Sequence, residues 1–505
     1  MIFKSMTYAG QVKRYALGGW LPPRYRDTRT MDLAFRGHPV RGSRNVLRGQ
    51  SKELICAVLG LIVLGLPPGP TLAERMPQQS DIDLFMNPAS LPQLIRMALE
   101  RNPGLRAARS EIDVAGKGLE SAKGQRFGRV EMRATDSTYG PVTNKLVTQT
   151  LVLDQSAIAQ RGIGAFNHNL FGFGGFLTIP IYTGGRITNQ IAVEEITTHL
   201  AEDRLTQTRD SLIFNVSSTY YGILKLREFI RATEQSTEQL RESKRVVEGR
   251  FHVGKAAAVD VFKISTRLAA VEQAHIRLHN AQQVLHGVLN TLLGIEAAGL
   301  KLKIQGELTP ASEVLNLNQN VDEALRRRPE VLAKDKQVAI QEKKILIARA
   351  DLLPSVSLNG SLQGFAGDHS GLFNTEFANL AMSMPIFTGG TLESRVAQER
   401  LKLEQFRQES AETKLAVTQE VHAAYLNVGE AEARIQAAQA ALGEAKEVLR
   451  VEQLKVSVGR GITENLLYAQ TAELEAMQNV SAAIADSLTQ RMALKKAVGS
   501  MTVEE

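Results

Sequence analysis

The sequence predicts a mostly helical chain in which tandem-duplicated, long coiled-coil helices are interrupted by four strands. Three observations predict it. The 505-residue chain repeats one plan twice, proline is missing from two long stretches with helical periodicity, and two Gly-, Ser- and aromatic-rich stretches alternate like strands.

The chain divides first by charge. Residues 1–53 hold 11 Lys and Arg against Asp27, Asp32 and Glu53, while the whole chain is only +7, so residues 74–505 sum to −1. The basic balance belongs to the N-terminal end, and the rest has no electrostatic footprint for nucleic acid. Leu54–Leu66 is an uncharged apolar run after this basic stretch, and Thr71-Leu72-Ala73 places small residues where a signal peptidase cuts. Residues 1–73 therefore read as a basic leader and signal peptide cleaved after Ala73, with Met31 as a possible start. The lone cysteine, Cys56, precedes the apolar run's end and is lost with it, which leaves no thiol chemistry in the exported chain. No other apolar run approaches 18 residues, so the exported chain is either soluble or crosses a membrane as a β-barrel.

The remainder reads as two structural repeats, 74–305 and 306–505. Ile179-Pro180-Ile181-Tyr182-Thr183-Gly184-Gly185 recurs as Met384-Pro385-Ile386-Phe387-Thr388-Gly389-Gly390, an offset of 205. Tyr220 and Tyr425, Val253-Gly254 and Val458-Gly459, Leu289 and Leu494, and Gly294 and Gly499 keep the same offset. Upstream, Ala98-Leu99 and Asn102-Pro103 match Ala324-Leu325 and Arg328-Pro329 at an offset of 226, so 21 extra residues sit in the first half, within 139–170.

Each repeat opens with a helical stretch (90–126; 320–351), continues through a strand-like stretch (127–182; 354–387) and ends in two helical stretches that meet at the Val-Gly pair. No proline occurs from 181 to 309 or from 386 to 505, so nothing interrupts a very long helix there. Val417, Val421, Ala424, Val428, Ala431, Ile435, Ala438, Leu442, Ala445 and Leu449 form a heptad seam with left-handed supercoiling. Leu212, Val216, Ile223, Leu226, Ile230 and Leu240 repeat it in the first half. A helix from Arg186 to Val253 would be about 100 Å long.

In the strand-like stretches, Phe171, Phe173, Leu177, Ile179 and Ile181 alternate with other residues, as do Val356, Leu358 and Leu362, and Leu380, Met382, Met384 and Ile386. Segments of about ten residues with a weak apolar face are the transmembrane-barrel pattern. Eleven of the 21 aromatics beyond residue 74 fall here, where interfacial girdles need them. Four strands cannot close a barrel, so a membrane-spanning version must share strands between chains.

Residues 89–499 resemble the TolC-like outer-membrane efflux protein family. The resemblance rests on the ordered set of Ala98-Leu99 with Asn102-Pro103, the Ala348–Leu358 helix-to-strand junction, both Thr-Gly-Gly strand exits and both Val-Gly turns. It implies a homotrimer with a trimeric α-barrel through the periplasm and a shared 12-stranded transmembrane β-barrel in outer-membrane lipid. It also implies a cell outer membrane location and docking onto a periplasmic adaptor and an inner-membrane transporter, as a passive conduit and not an enzyme. The other reading from the residues is a soluble periplasmic coiled-coil scaffold or adaptor, although adaptors carry one helical hairpin and here the hairpin is duplicated.

By that resemblance the turns at Val253, Gly254, Lys255, Val458, Gly459 and Arg460 face the adaptor. Gly254 and Gly459 also read, from local chemistry, as positive-φ helix caps. Pro180, Gly184, Gly185, Pro385, Gly389 and Gly390 mark the strand-to-helix junctions. Asp260, Asn465 and Tyr468 fall where related channels build a periplasmic gate. The acidic ring of those channels is not carried over, since Asn465 and Tyr468 are neutral, which leaves Tyr468 to narrow the entrance by bulk. Asp260 doubles as a first-turn acid favoured by the helix dipole. His275, His279 and His286 share one helical face and read as a solvated polar stripe. The His275–His279 spacing can hold zinc, but no Glu follows His275, so the hydrolase pattern is absent and no metal or cofactor is expected.

Overall fold

A computed structural model describes residues 88–138, 169–295, 302–310, 316–367 and 372–502. The leader and signal segment 1–73 and nearly all of the longer loop near 139–170 lie outside the described residues. The elements run α1 (Leu91–Arg101), α2 (Pro103–Gly124), β1 (Arg129–Thr138), β2 (Asn169–Tyr182), α3 (Arg186–His252) and α4 (Ala258–Leu292). The same order follows as α5 (Leu317–Arg327), α6 (Pro329–Ala350), β3 (Ser355–Gly367), β4 (Phe373–Ser383), α7 (Thr391–Ser457) and α8 (Thr463–Val498). Among the described residues no helix is long and apolar enough to cross a membrane.

The proline-free stretches become the two long helices, α3 and α7, of 67 residues each. Both run past pairs of shorter helices. At the strand end α3 packs on α2 and α6, and α7 packs on α6. At the other end α3 packs on α4 and α8, and α7 packs on α8. In the first half α2 and α4 thus lie along α3, and in the second α6 and α8 lie along α7.

One expectation needs correction. The stretches 90–126 and 320–351 are not single helices; each breaks before a proline. Pro103 and Pro329 push Asn102 (ψ 123°) and Arg328 (ψ 124°) into extended backbone, which ends one helix and starts the next. These break residues fasten the wall. The Asn102 side-chain carbonyl accepts from the Leu105 amide at 3.1 Å, and its amide donates to the Leu292 carbonyl at the end of α4 at 2.9 Å. Arg328 reaches the Ala497 carbonyl at the end of α8 and is held by Glu330 at 3.0 Å and Glu420 at 2.6 Å. A second correction concerns β4, which stops at Ser383 and leaves Met384 and Ile386 outside the strand. Pro385 has no amide hydrogen with which to continue the ladder.

The two halves bury the same positions. Val216 and Val421 are fully buried, Ile223 and Val428 nearly so, and Leu289 and Leu494 close the respective clusters against Ala98 and Ala324. In the α7 seam Val417, Val421, Ala424, Val428, Ala431, Ile435 and Leu449 are buried, with Ala438, Leu442 and Ala445 half-buried. The first-half cluster is larger because α1 adds Leu91, Leu94, Ile95 and Met97, joined by Leu302 from residues 302–310, which lie against α3. The Tyr220 hydroxyl donates to the Gln305 carbonyl at 2.7 Å, and the Ala89 amide donates to the Lys303 carbonyl at 2.8 Å.

Asp210 of α3 is buried beside these clusters. Burial pushes its carboxyl up to about 6; Arg209 and Lys496 oppose the shift and Glu330 adds to it. An acid raised in the folded state destabilises the fold above that value and has no such cost once the unfolded acid is also protonated, near pH 4. Asp210→Asn is therefore expected to raise stability by about 1–2 kcal/mol at pH 7.5, with the gain fading between pH 6 and pH 4. Thermal melts of both proteins across that range check it; a gain that does not change with pH would contradict it.

Candidate functional site

The four strands form one antiparallel sheet in the order β1-β2-β3-β4. Directly paired residues share a face, so the register sorts the side chains. One face carries rows such as Val130–Leu177–Gly360–Ala378 and Ile179–Leu358–Leu380, with Met132, Phe171, Phe173, Leu362 and Met382. Several of these side chains are open, Met132 91% exposed and Leu380 69%, whereas Leu177, Ile179 and Leu358 are half-buried. The opposite face carries Arg129, Glu131, Arg133, Thr178, Asn359, Ser361, Gln363, Thr375 and Asn379. Asp136 and Glu376 also fall on the apolar face, Asp136 opposite Phe171 and Glu376 in the row Met132–Gly175–Leu362–Glu376. Leu170, Phe176, Phe365 and Phe377 are exceptions on the polar face, and the Arg133 guanidinium lies 4.8 Å from the Phe176 ring.

Each hairpin enters its long helix through the Thr-Gly-Gly sequence. Gly184, Gly185, Gly389 and Gly390 all have φ between +62° and +85°, so two successive residues turn the chain in the left-handed region. Pro180 stays within β2 beside a bulge, whereas Pro385 follows the end of β4. Asp351, at the end of α6, lies 3.0 Å from Arg395 and 4.0 Å from Arg186 and so ties the first turns of both long helices together.

At the other end both Val-Gly turns adopt the same helix-ending geometry. Lys255 and Gly254 amides donate back to Arg250 and Phe251 carbonyls, and Arg460 and Gly459 amides to Lys455 and Val456 carbonyls. This double reversal requires positive φ at Gly254 (+71°) and Gly459 (+77°). Around it Phe251, Val253, Val259, Phe262, Val458 and Ile462 are exposed, and Lys255 and Arg460 extend beside them.

Asp260 begins α4, and Asn465 and Tyr468 lie in the first turns of α8. What joins them was not legible in the sequence. Lys263 pairs with Glu464 at 2.8 Å, and Asp260 and Tyr468 both act on the Lys263 ammonium. The hydrogen bond and charge of Glu464 raise the Lys263 ammonium, and Lys263 lowers the Glu464 carboxyl. The Arg250 guanidinium also donates to the Val456 carbonyl, which links the two tips. Glu464 was recognisable as a first-turn acid, but its partner is 201 residues away. The histidine expectation needs correction too: His286 is buried, and His275 and His279 are half-buried, so they do not form a solvated stripe.

A two-faced sheet continued by helices about 100 Å long defines an outer-membrane channel subunit with a periplasmic extension. The chain belongs to the outer membrane efflux protein family, whose model matches residues 94–294 and 320–500. It is 24% identical over 338 residues to the outer membrane efflux protein BepC of Brucella suis, covering 64% of this chain and 71% of that protein. It is 22% identical over 428 residues to the probable efflux pump outer membrane protein TtgC of Pseudomonas putida, covering 83% and 85%. The solved Campylobacter jejuni CmeC outer membrane channel has the same fold, with a TM-score of 0.70 over 88% of this chain and 92% of that one at 18% identity. The scaffold reading is thereby set aside.

Proposed function

We propose that three copies of this chain close a 12-stranded barrel in outer-membrane lipid and continue it as a helical tunnel. The tunnel receives cargo from an inner-membrane transporter through a periplasmic adaptor. The observation that carries this reading is the sheet itself. Among the described strands β1 and β4 each pair on one side only, while one sheet face carries the apolar rows, several of whose side chains are exposed. Unpaired edges are not tolerated in hydrocarbon, so β1 of one copy must meet β4 of the next. The adaptor meets the exposed apolar and basic tips at Val253, Gly254, Lys255, Val458, Gly459 and Arg460. Asp260, Asn465 and Tyr468 line the gate, with the Lys263–Glu464 pair holding the two helical hairpins together there. The chain acts as a passive conduit with no catalytic residues; the transporter supplies the energy.

The test is the assembly state and conductance of the chain recovered from envelopes. The expected result is a detergent-requiring trimer that conducts ions in planar bilayers. Release by osmotic shock as a detergent-free monomer or dimer would overturn the proposal.

A further inference from the structure

The channel reading leaves one cluster unexplained, on the wall between α3 and α4. Glu234 of α3 and His275 and His279 of α4 bring one ligand atom each within 4.8 Å of one another. His275 Nε2 lies 3.3 Å from Glu234 Oε1, and the two imidazoles stack edge-to-face with centroids 4.8 Å apart. The spacing of four residues puts both imidazoles on one side of α4, and the neighbouring helix supplies the carboxylate.

We propose that Glu234, His275 and His279 form a binding site for a borderline divalent transition metal, with Zn²⁺ the reference ion. In a tetrahedral zinc site with bonds near 2.1 Å, donor atoms lie about 3.4 Å apart. The His275–Glu234 separation already matches, and the widest gap closes by about 1.4 Å, within the reach of side-chain rotation in a tetrahedral site. Two imidazole nitrogens and one carboxylate suit Zn²⁺, Ni²⁺ or Cu²⁺, not Mg²⁺ or Ca²⁺, which prefer all-oxygen sets. The flanking α3 arginines are themselves paired, Arg231 with Glu228 at 3.0 Å and Arg241 with Glu272 at 3.0 Å. The fourth position is left to water.

The site lies 18 residues up α3 from its tip at His252, about 27 Å along the helix axis. Because its ligands come from both helices, bound metal clips α3 to α4 and stabilises their pairing in proportion to occupancy.

The test uses the full chain, without a histidine tag, stripped with chelator in detergent and titrated calorimetrically with zinc chloride. One Zn²⁺ per chain is expected, together with a zinc-dependent rise in melting temperature. Glu234→Gln is expected to weaken binding at least tenfold, and the double variant His275→Ala/His279→Ala to abolish both effects. His422→Ala, on α7, is expected to behave as the unaltered chain. Melting without zinc shows whether each variant folds; if the double variant does not, Glu234→Gln decides. Zinc uptake unchanged in Glu234→Gln or in the folded double variant, or no uptake by the unaltered chain at large excess, overturns the proposal.

Discussion

Leu177→Arg is expected to remove the chain from the outer membrane, whereas Ser361→Arg leaves it there. Leu177 sits midway along β2 in the row Val130–Leu177–Gly360–Ala378, on the apolar face. A guanidinium there meets hydrocarbon, at a cost of about 2–4 kcal/mol in each copy of the assembly. Ser361 pairs with Phe176 and Phe377 on the other face, which already accommodates the Arg133 guanidinium. The measurement is the amount of each variant in purified outer membranes relative to total synthesis. Equal loss of both would mean that the two faces are not distinguished by lipid, and the barrel assignment would fall with it.

The second large effect separates two copies of one motif. Gly184 and Gly389 share φ +62°, so an alanine at either carries left-handed strain of about 1–2 kcal/mol. Their surroundings differ. A Cβ on Gly184 would lie 2.8 Å from the Ala350 carbonyl and 3.0 Å from Leu353 Cβ, whereas one on Gly389 meets nothing within 4 Å. The carbonyl belongs to the end of α6 and cannot swing aside without moving the helix. Gly184→Ala is thus expected to cost about 3–4 kcal/mol, the strain plus an overpacking penalty, and Gly389→Ala only the strain. Denaturant midpoints of the two variants check the difference; matching losses would show that the α6 contact yields.

Much of this architecture was legible in the sequence because it follows from local chemistry. The two proline-free stretches, the seam at Val417–Leu449 and the glycines at the helix tips need only neighbouring residues to be understood. Strand alternation was legible as well, but which side is apolar across the sheet required the register joining Leu177 to Gly360. Asn102-Pro103 and Arg328-Pro329 stood out only as matching motifs inside stretches that read as continuous helix, and the bonds they make end on carbonyls of Leu292 and Ala497, far along the chain. The Lys263–Glu464 pair and the Glu234–His275 contact were hidden for the same reason. Each joins helices whose adjacency no local pattern encodes. The i, i+4 spacing of His275 and His279 is compatible with either side of the helix; their side chains sit beside Glu234 of α3, which no local pattern encodes.

The equal length of α3 and α7, 67 residues each, makes the reach of the molecule a jointly inherited quantity. Both helices begin at matching Thr-Gly-Gly exits and end at matching turns, so neither can grow alone without sliding its tip past the other. A single inserted residue would also rotate every later side chain by about 100° and turn the seam outward. Evolution or design can therefore lengthen this channel only in whole heptads, added together to both long helices and to the shorter partners beside them. The reach of the helical part is in this way written into the chain in steps of seven residues, about 10 Å each.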